Sequence, residues 1–411
     1  MEQQLQQVVA AFGTPCYAYD IGVMRRQVVK AKHVLPSGAA LLYSLKANPN
    51  LSLSAIIAGH GVGADVASAG ELLIAFSAGV RPNAIFVSGP HHSDALLAIT
   101  REHPHITLSV DSPSELQRLR ELGIPARVVL RLQPDYTSAA QVPAGATSRF
   151  GIAPEELAAC RRILDAAPSL RGTGFHVFAG SQILDAQAVV EHLSRAAALA
   201  ARAAATIGFQ PEVLHLGGGF GVPYCSERPE LDLQPVATAL ADIASTIAPA
   251  RLVIELGRYL VAQAGWYLTR VVAKRNAGGH PAVVVDGGTH HHADLCGLGL
   301  HGNTAAPLLI GRVSVAGREP TDVLGCLCLP SDFLAEGVLL PPLCVGDVLA
   351  FPNAGAYGLS AAPSHFLSHP LPPEVGFYRD DIQLLRGRAS PASELEAQRK
   401  VAFTGPALAS T

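Results

Sequence analysis

Eight short apolar runs, rich in β-branched residues, recur through the first two thirds of the chain, and their spacing constrains the fold more than any other feature. They are Ala40 to Ser44, Gly63 to Ala67, Ala84 to Ser88, Ile106 to Val110, Arg127 to Leu132, Thr173 to Phe178, Val213 to Leu216 and Leu252 to Glu255. Segments of helical character lie between them, among them Ser68 to Ala78, Pro113 to Leu122, Pro154 to Ala166 and Ala186 to Ile207. Such alternation builds a parallel sheet, because each strand must be re-entered in the same direction through a crossover helix. Eight units within about 220 residues suit a closed (β/α)8 barrel better than an open sheet.

After about Val261 the pattern changes to strands without long helices: Trp266 to Lys274, Ala282 to Asp286, Arg312 to Ala316, Asp322 to Cys328 and Asp347 to Phe351. A run of strands after βα units marks a second, all-β domain of Greek-key or sandwich type. The strand-like Pro15 to Asp20 is expected to join it. Two domains also suit 411 residues, since single cores stop growing at about 250–300. The expected division is a barrel over 29–262, a β-domain made of 1–28 and 263–388, and a partly disordered Ala-, Ser- and Pro-rich tail over 389–411.

The net charge of −3, with both signs scattered, leaves no electrostatic footprint for nucleic acid or an anionic membrane. A small, roughly neutral partner is expected instead. The first residues lack the basic and apolar regions of a signal peptide, and no segment approaches the roughly 18 apolar residues that span a bilayer. Seven cysteines at irregular spacing argue against a disulfide framework and for a reducing, cytoplasmic setting. Cys326-Leu327-Cys328 has no matching second pair, and His290-His291-His292 cannot all face one ion, so polar loop chemistry is expected there and no metal.

In a (β/α)8 barrel the working residues sit at the C-terminal ends of the strands. Here those ends carry Lys46, Asp65, Arg131, His176, Gly217-Gly218-Gly219 and Glu255-Leu256-Gly257-Arg258. Lys46, alone, reads as a surface lysine whose stem lies along the rim. At the end of a buried strand, however, poor solvation is expected to lower its pKa and free its amine for a Schiff base. The glycine run exposes backbone N–H groups to an anion, and Arg258 adds a second anion partner, although a glycine run by itself is also a plain tight turn. Glu255 needs a partner for its carboxylate, either Arg258 or a protonated heteroaromatic nitrogen. A Schiff-base lysine, a phosphate cradle and a carboxylate for a ring nitrogen describe a pyridoxal phosphate site.

With these residues in place the chain resembles the pyridoxal-phosphate decarboxylases of the alanine-racemase-like fold, in particular the diaminopimelate, ornithine and arginine decarboxylase group. The matching pieces are Tyr43-Ser44-Leu45-Lys46-Ala47-Asn48, Asp65 to Leu72, Ser148-Arg149-Phe150-Gly151, Gly174 to Val177, Leu216 to Gly221, Glu255 to Tyr259, Cys328 with Asp332, Gly346-Asp347 and Gly355-Ala356-Tyr357. The resemblance implies that Lys46 anchors the cofactor, with Asp65 setting its protonation. It implies His176 on one ring face and Glu255 at the ring nitrogen, with Gly217, Gly218, Gly219, Gly257, Arg258 and Tyr357 at the phosphate. It further implies that Cys328, from the partner subunit of a homodimer, supplies a proton after carbon dioxide leaves. Arg131, Asp332 and Leu329 fall at positions expected to meet the substrate.

Diaminopimelate enzymes place a glutamate directly after this cysteine, whereas this chain has Leu329. The segments Phe178 to Gln182, Asp286 to His292 and Phe366 to Pro370 look more like the branch that acts on conjugated amino acids. Members of that branch decarboxylate glutamyl groups on carrier proteins or citryl-diamino-acid intermediates of carboxylate siderophores. The family's usual proline after the glutamate is Leu256 here, which keeps an apolar wall. The alternatives are a diaminopimelate, ornithine or lysine decarboxylase, a racemase of the same fold, and a non-catalytic pyridoxal-phosphate-binding regulator. A racemase needs an acid or base on each face of its substrate, and retention of Lys46 and Cys328 speaks against a regulator.

Overall fold

A computed structural model describes residues 1–140, 142–143, 150–224, 228–277, 280–294, 306–312, 317–396 and 398–400. Eight parallel strands close into a barrel: Ala40–Ser44, Gly63–Val66, Ile85–Val87, Thr107–Val110, Ala126–Leu132, Leu170–Val177, Val213–Gly218 and Arg251–Leu256. They are called the first to eighth barrel strands below. Each pairs with its neighbours in chain order, and the eighth closes on the first with Leu256 opposite Tyr43. All eight runs expected from the sequence are therefore barrel strands. They were conspicuous because strands covered on both faces are apolar almost throughout.

The intervening helices begin where short polar side chains replace missing backbone partners. Ser68 Oγ accepts from Glu71 N, and Glu71 Oε2 accepts from Ala67 N at 2.7 Å, which starts the helix Ala69–Ser77 beside the second strand's end. Asp185 caps the 22-residue helix Ala186–Ile207, which stops at Gly208 in a left-handed conformation (φ 60°). Inside the barrel, Leu42, Phe86, Val129 and Val253 pack together as a plug. His215 stacks on Phe86 at 4.0 Å, and the His176 ring meets Phe86 edge-on at 5.2 Å, so the plug is the floor on which the rim is built.

A second, nine-stranded and mostly antiparallel sheet gathers both ends of the chain. Cys16–Asp20 lies between Gly265–Ala277, antiparallel, and Glu374–Tyr378, parallel. The expected joining of Pro15 to Asp20 to this sheet is thus observed. Several expectations are corrected. Arg312 is in no strand, Leu308–Ile310 pairs with Val348–Phe351 instead, and 313–316 lie outside the described residues. The strand expected to reach Cys328 ends at Leu324, because the backbone turns at Gly325 to accommodate the buried Asp332 carboxylate. Phe333–Leu340, Glu374–Tyr378 and Asp381–Arg386 are further strands, and Glu2–Phe12 is a helix packed on the sheet through Leu5, Val8 and Val9. Of the tail, 401–411 lie outside the described residues. No helix among the described residues is long and apolar enough to cross a membrane.

Candidate active site

The first barrel strand runs into a single 3-10 turn, Leu45–Ala47, that lifts Lys46 onto the rim. This turn is fastened to the second sheet's segment 354–360. Tyr357 N donates to Ala47 O at 2.7 Å, Asn48 Nδ2 to Gly355 O at 3.0 Å, and Ser360 Oγ to Ala47 O at 3.2 Å. The approach requires glycine at 355, since a Cβ there would lie 1.9 Å from Val261 O. Lys46 Nζ lies 3.5 Å from Asp65 Oδ2, and Ser88 Oγ holds the other Asp65 oxygen at 2.7 Å. The lysine side chain keeps 43% of its surface, toward the cleft, whereas Asp65 is buried.

The expected fall in the Lys46 pKa is not what the geometry produces. Burial does pull the amine down, but the carboxylates of Asp65 and Glu255 outweigh it and the value is raised. The charged form persists because two anions face one cation.

His176, on the sixth strand, is fully enclosed. Its Nδ1 meets Ser109 Oγ at 2.9 Å and its Nε2 lies 3.6 Å from Glu255 Oε1. Burial, reinforced by Arg131, holds the imidazole far below its usual pKa, so it is neutral. Arg131 itself pairs with Asp111 at 3.2 Å and lies 4.8 Å from the Phe150 ring and 6.0 Å from the Phe178 ring. Ser148 and Arg149, beside Phe150, lie outside the described residues.

Gly217 and Gly219 adopt left-handed φ of 65° and 72°, and a Cβ on Gly219 would sit 2.9 Å from Gly180 O. Gly257 is equally confined, with a Cβ reaching within 3.0 Å of Ala47 Cβ. Arg258 donates from Nη1 to Tyr224 OH at 2.7 Å and lies 4.7 Å from the Tyr357 ring. No Glu255–Arg258 ion pair forms among the described residues, so that alternative for Glu255 fails. Lys46, Phe178, Ser181, Gly219, Glu255, Gly257, Arg258 and Tyr357 instead line one cavity. Three buried polar atoms around it have no hydrogen-bond partner: Glu255 Oε2, Arg258 Nε and His176 Nε2.

Cys328, Leu329 and Asp332 are not part of this cavity. They occupy the turn between Glu319–Leu324 and Phe333–Leu340, with Cys328 and Leu329 exposed. Asp332 is buried and engaged within that turn, accepting from Thr289 N, Thr289 Oγ1 and Leu327 N at 2.8 Å each. The three histidines 290–292 are also buried, in and directly after the short turn Thr289–His291. Cys16, Cys160, Cys326, Cys328 and Cys344 are free. Sequence reasoning did not single out Ser88, Ser109, Asp111 or Tyr224, each defined only by the rim residue it touches. Phe178 and Ser181 stood in a noted segment, and their place after the sixth strand was the available signal.

Fold and rim together define a barrel enzyme that binds a phosphorylated aldehyde cofactor. Residues 21–262 match the family model described as pyridoxal-dependent decarboxylase, pyridoxal binding domain. The chain is 32% identical to the L-glutamyl-[BtrI acyl-carrier protein] decarboxylase of Niallia circulans, over 98% of both chains. It is 34% identical to the diaminopimelate decarboxylase of Deinococcus radiodurans, covering 94% of this chain and 96% of that one. The crystal structure of the Helicobacter pylori diaminopimelate decarboxylase complexed with L-lysine superposes with a TM-score of 0.86 at 26% identity, over 95% of this chain and 98% of that one. The chain belongs to the pyridoxal-dependent decarboxylases, and pyridoxal 5′-phosphate is its cofactor. The residues present fit this group. An unpaired carboxylate oxygen suits a protonated ring nitrogen, and an unpaired guanidinium N–H beside confined glycines suits a phosphate.

Proposed function

We propose that this decarboxylase removes the α-carboxylate of an amino acid joined to a larger group, a glutamyl unit on a carrier protein or a citryl-linked diamino acid, in preference to free diaminopimelate. Leu329 carries this reading. It is 39% exposed beside Cys328 and offers no charge to a distal ammonium group. An end-to-end likeness to a carrier-bound glutamyl decarboxylase supports it. Decarboxylation of free diaminopimelate, ornithine or lysine is the second reading, favoured by the 34% identity to the Deinococcus radiodurans enzyme.

The cofactor, when bound, supplies an electron sink for the pair left on Cα as carbon dioxide departs. In our reading Lys46 would be its covalent anchor, a role that requires the neutral amine, and Asp65, braced by Ser88, helps set the protonation state of Nζ. Neutral His176 would lie against one ring face without adding charge. Glu255 Oε2 would accept a hydrogen bond from the ring N–H and so keep that nitrogen protonated, while the backbone of Gly217, Gly218, Gly219 and Gly257, with Arg258 and Tyr357, would bind the phosphate. Arg131 stands at the cleft for a substrate carboxylate, and Cys328 Sγ, brought by a partner subunit, delivers a proton to Cα. Asp332 acts on substrate through the turn it holds, by presenting Cys328 and Leu329.

The working assembly is thus a homodimer with two shared sites, acting in the cytoplasm. We take 29–262 as its barrel domain, 1–28 with 263–388 as its β-domain, and 389–411 as its tail. Carbon dioxide release from a panel of carrier-bound glutamate, citryl-diamino acids, meso-diaminopimelate, ornithine and lysine tests the substrate. A conjugated substrate is expected to turn over fastest, and equal turnover of meso-diaminopimelate overturns the reading.

A further inference from the structure

Three side chains remote in sequence converge on the second sheet, outside the cofactor cavity. His290, Cys326 and His369 offer one nitrogen, one sulfur and one nitrogen, all within 4.8 Å of one another. The His290 and His369 ring centroids are 4.8 Å apart. His290 is 0% exposed and neither of its ring nitrogens has a hydrogen-bond partner. A buried imidazole left wholly unpaired is costly, and a cation that accepts its one lone pair removes part of that cost.

The geometry points to a zinc-class divalent cation site formed by His290, Cys326 and His369. Two imidazoles and one thiolate are a donor set zinc takes in tetrahedral sites with one position left to water. Tetrahedral zinc holds such donors roughly 3.3–3.6 Å apart, so closure needs a contraction of about 1 Å, within reach of side-chain rotation. His369 and Cys326 are only half buried, which leaves the fourth position open to solvent.

The backbone is already braced for this. Asp332 ties Thr289, next to His290, to Leu327, next to Cys326. Cys326 N donates to Gly287 O at 2.9 Å, fixing the two turns directly to each other. Gly288 and Gly325 keep the space open, since a Cβ on Gly288 would lie 2.8 Å from His290 Nδ1 and one on Gly325 would lie 2.0 Å from Asp332 Oδ2. The ion would therefore clamp the 289–291 turn and the 366–370 segment to the turn that presents Cys328, two residues beyond Cys326. This inference stands independently of the substrate reading.

The test is metal analysis of the cofactor-loaded protein purified after growth with added zinc. About one zinc per chain is expected, with X-ray absorption giving one sulfur near about 2.3 Å and two nitrogens near about 2.0–2.1 Å. Zinc should also raise the unfolding midpoint of chelator-stripped wild type. Cys326→Ser and His369→Gln should each weaken zinc binding at least ~10-fold and abolish that rise. Fewer than about one zinc in ten chains, or zinc bound equally by wild type and both variants, overturns the site. Zinc with no sulfur neighbour overturns it as well. Because absorption spectroscopy needs only wild type, an unstable variant does not leave the question open.

Discussion

The barrel rim and the histidine turn of the second sheet both bury polar atoms without partners, yet the two patterns differ. At the rim the unpaired atoms are of mixed kind, a carboxylate oxygen at Glu255, a guanidinium N–H at Arg258 and an imidazole nitrogen at His176, spread along a cavity. Around the turn, three groups that can each offer an electron pair, His290, Cys326 and His369, converge within 4.8 Å, and His290 is the fully buried, unpaired one of the three. The first arrangement suits an extended ligand with an anionic end and a protonated ring; the second suits a point-like cation. Buried polar groups are paired with few exceptions, so the distribution of unpaired ones reports the shape and charge of what is absent.

The largest effect is expected at the rim. Lys46→Ala should lower carbon dioxide release roughly 10⁵-fold or more, as loss of a covalent group does. A rate close to wild type would break the assignment of the cofactor to this cavity. Cys328→Ala should lower kcat about 10²- to 10⁴-fold, the scale of a lost general acid. Mixing Lys46→Ala and Cys328→Ala chains sharpens the contrast between the two regions. If each site takes Lys46 from one chain and Cys328 from the other, random dimers recover about a quarter of wild-type activity. No recovery would place both residues in one chain's site.

A smaller shift is expected from Asp65→Asn. The Asp65 carboxylate favours the charged amine of Lys46, so its removal lowers the lysine pKa by about 1–3 units, with Glu255 still opposing burial. The pH dependence of labelling the cofactor-free lysine should move to lower pH by that amount, and an upward move would refute the electrostatic account.

The smallest effect is on stability. Burial pushes His215 down to about 3 and His192 to about 4 from a usual value of 6.5. Below 6.5 the unfolded chain binds protons that the folded one refuses. Stability is therefore fully present above 6.5 and is lost as pH falls toward those folded values, by at most roughly 1.4 kcal/mol per pH unit for each group. Thermal midpoints should fall between pH 6.5 and 4, and His215→Phe should make that decline shallower.

Much of the rim was legible because a closed parallel barrel places every strand's C-terminal end on one face. Lys46, Asp65, His176, the glycines and Glu255 could be assembled from strand order alone. Their partners could not. Ser109 reaches His176 across the intervening fifth strand, and Ser88 reaches Asp65 from the neighbouring third, contacts that depend on barrel registers no local pattern encodes. The strand Asp381–Arg386, largely exposed at the sheet edge, lacks the apolar run that marks a buried strand. The raised pKa of Lys46 is hidden from the sequence for a related reason. Burial is visible in a strand's composition, but the opposing carboxylates act through space.

The sequence by itself determined the closed barrel, the all-β second sheet and the chemical types on the rim, since burial periodicity and strand-end position are local properties. The tertiary structure alone decided which of those groups are paired, that Lys46 stays charged between Asp65 and Glu255, and that His290, Cys326 and His369 meet. Pairing is settled by distances of a few ångströms between residues far apart in the chain, and only packing sets those distances.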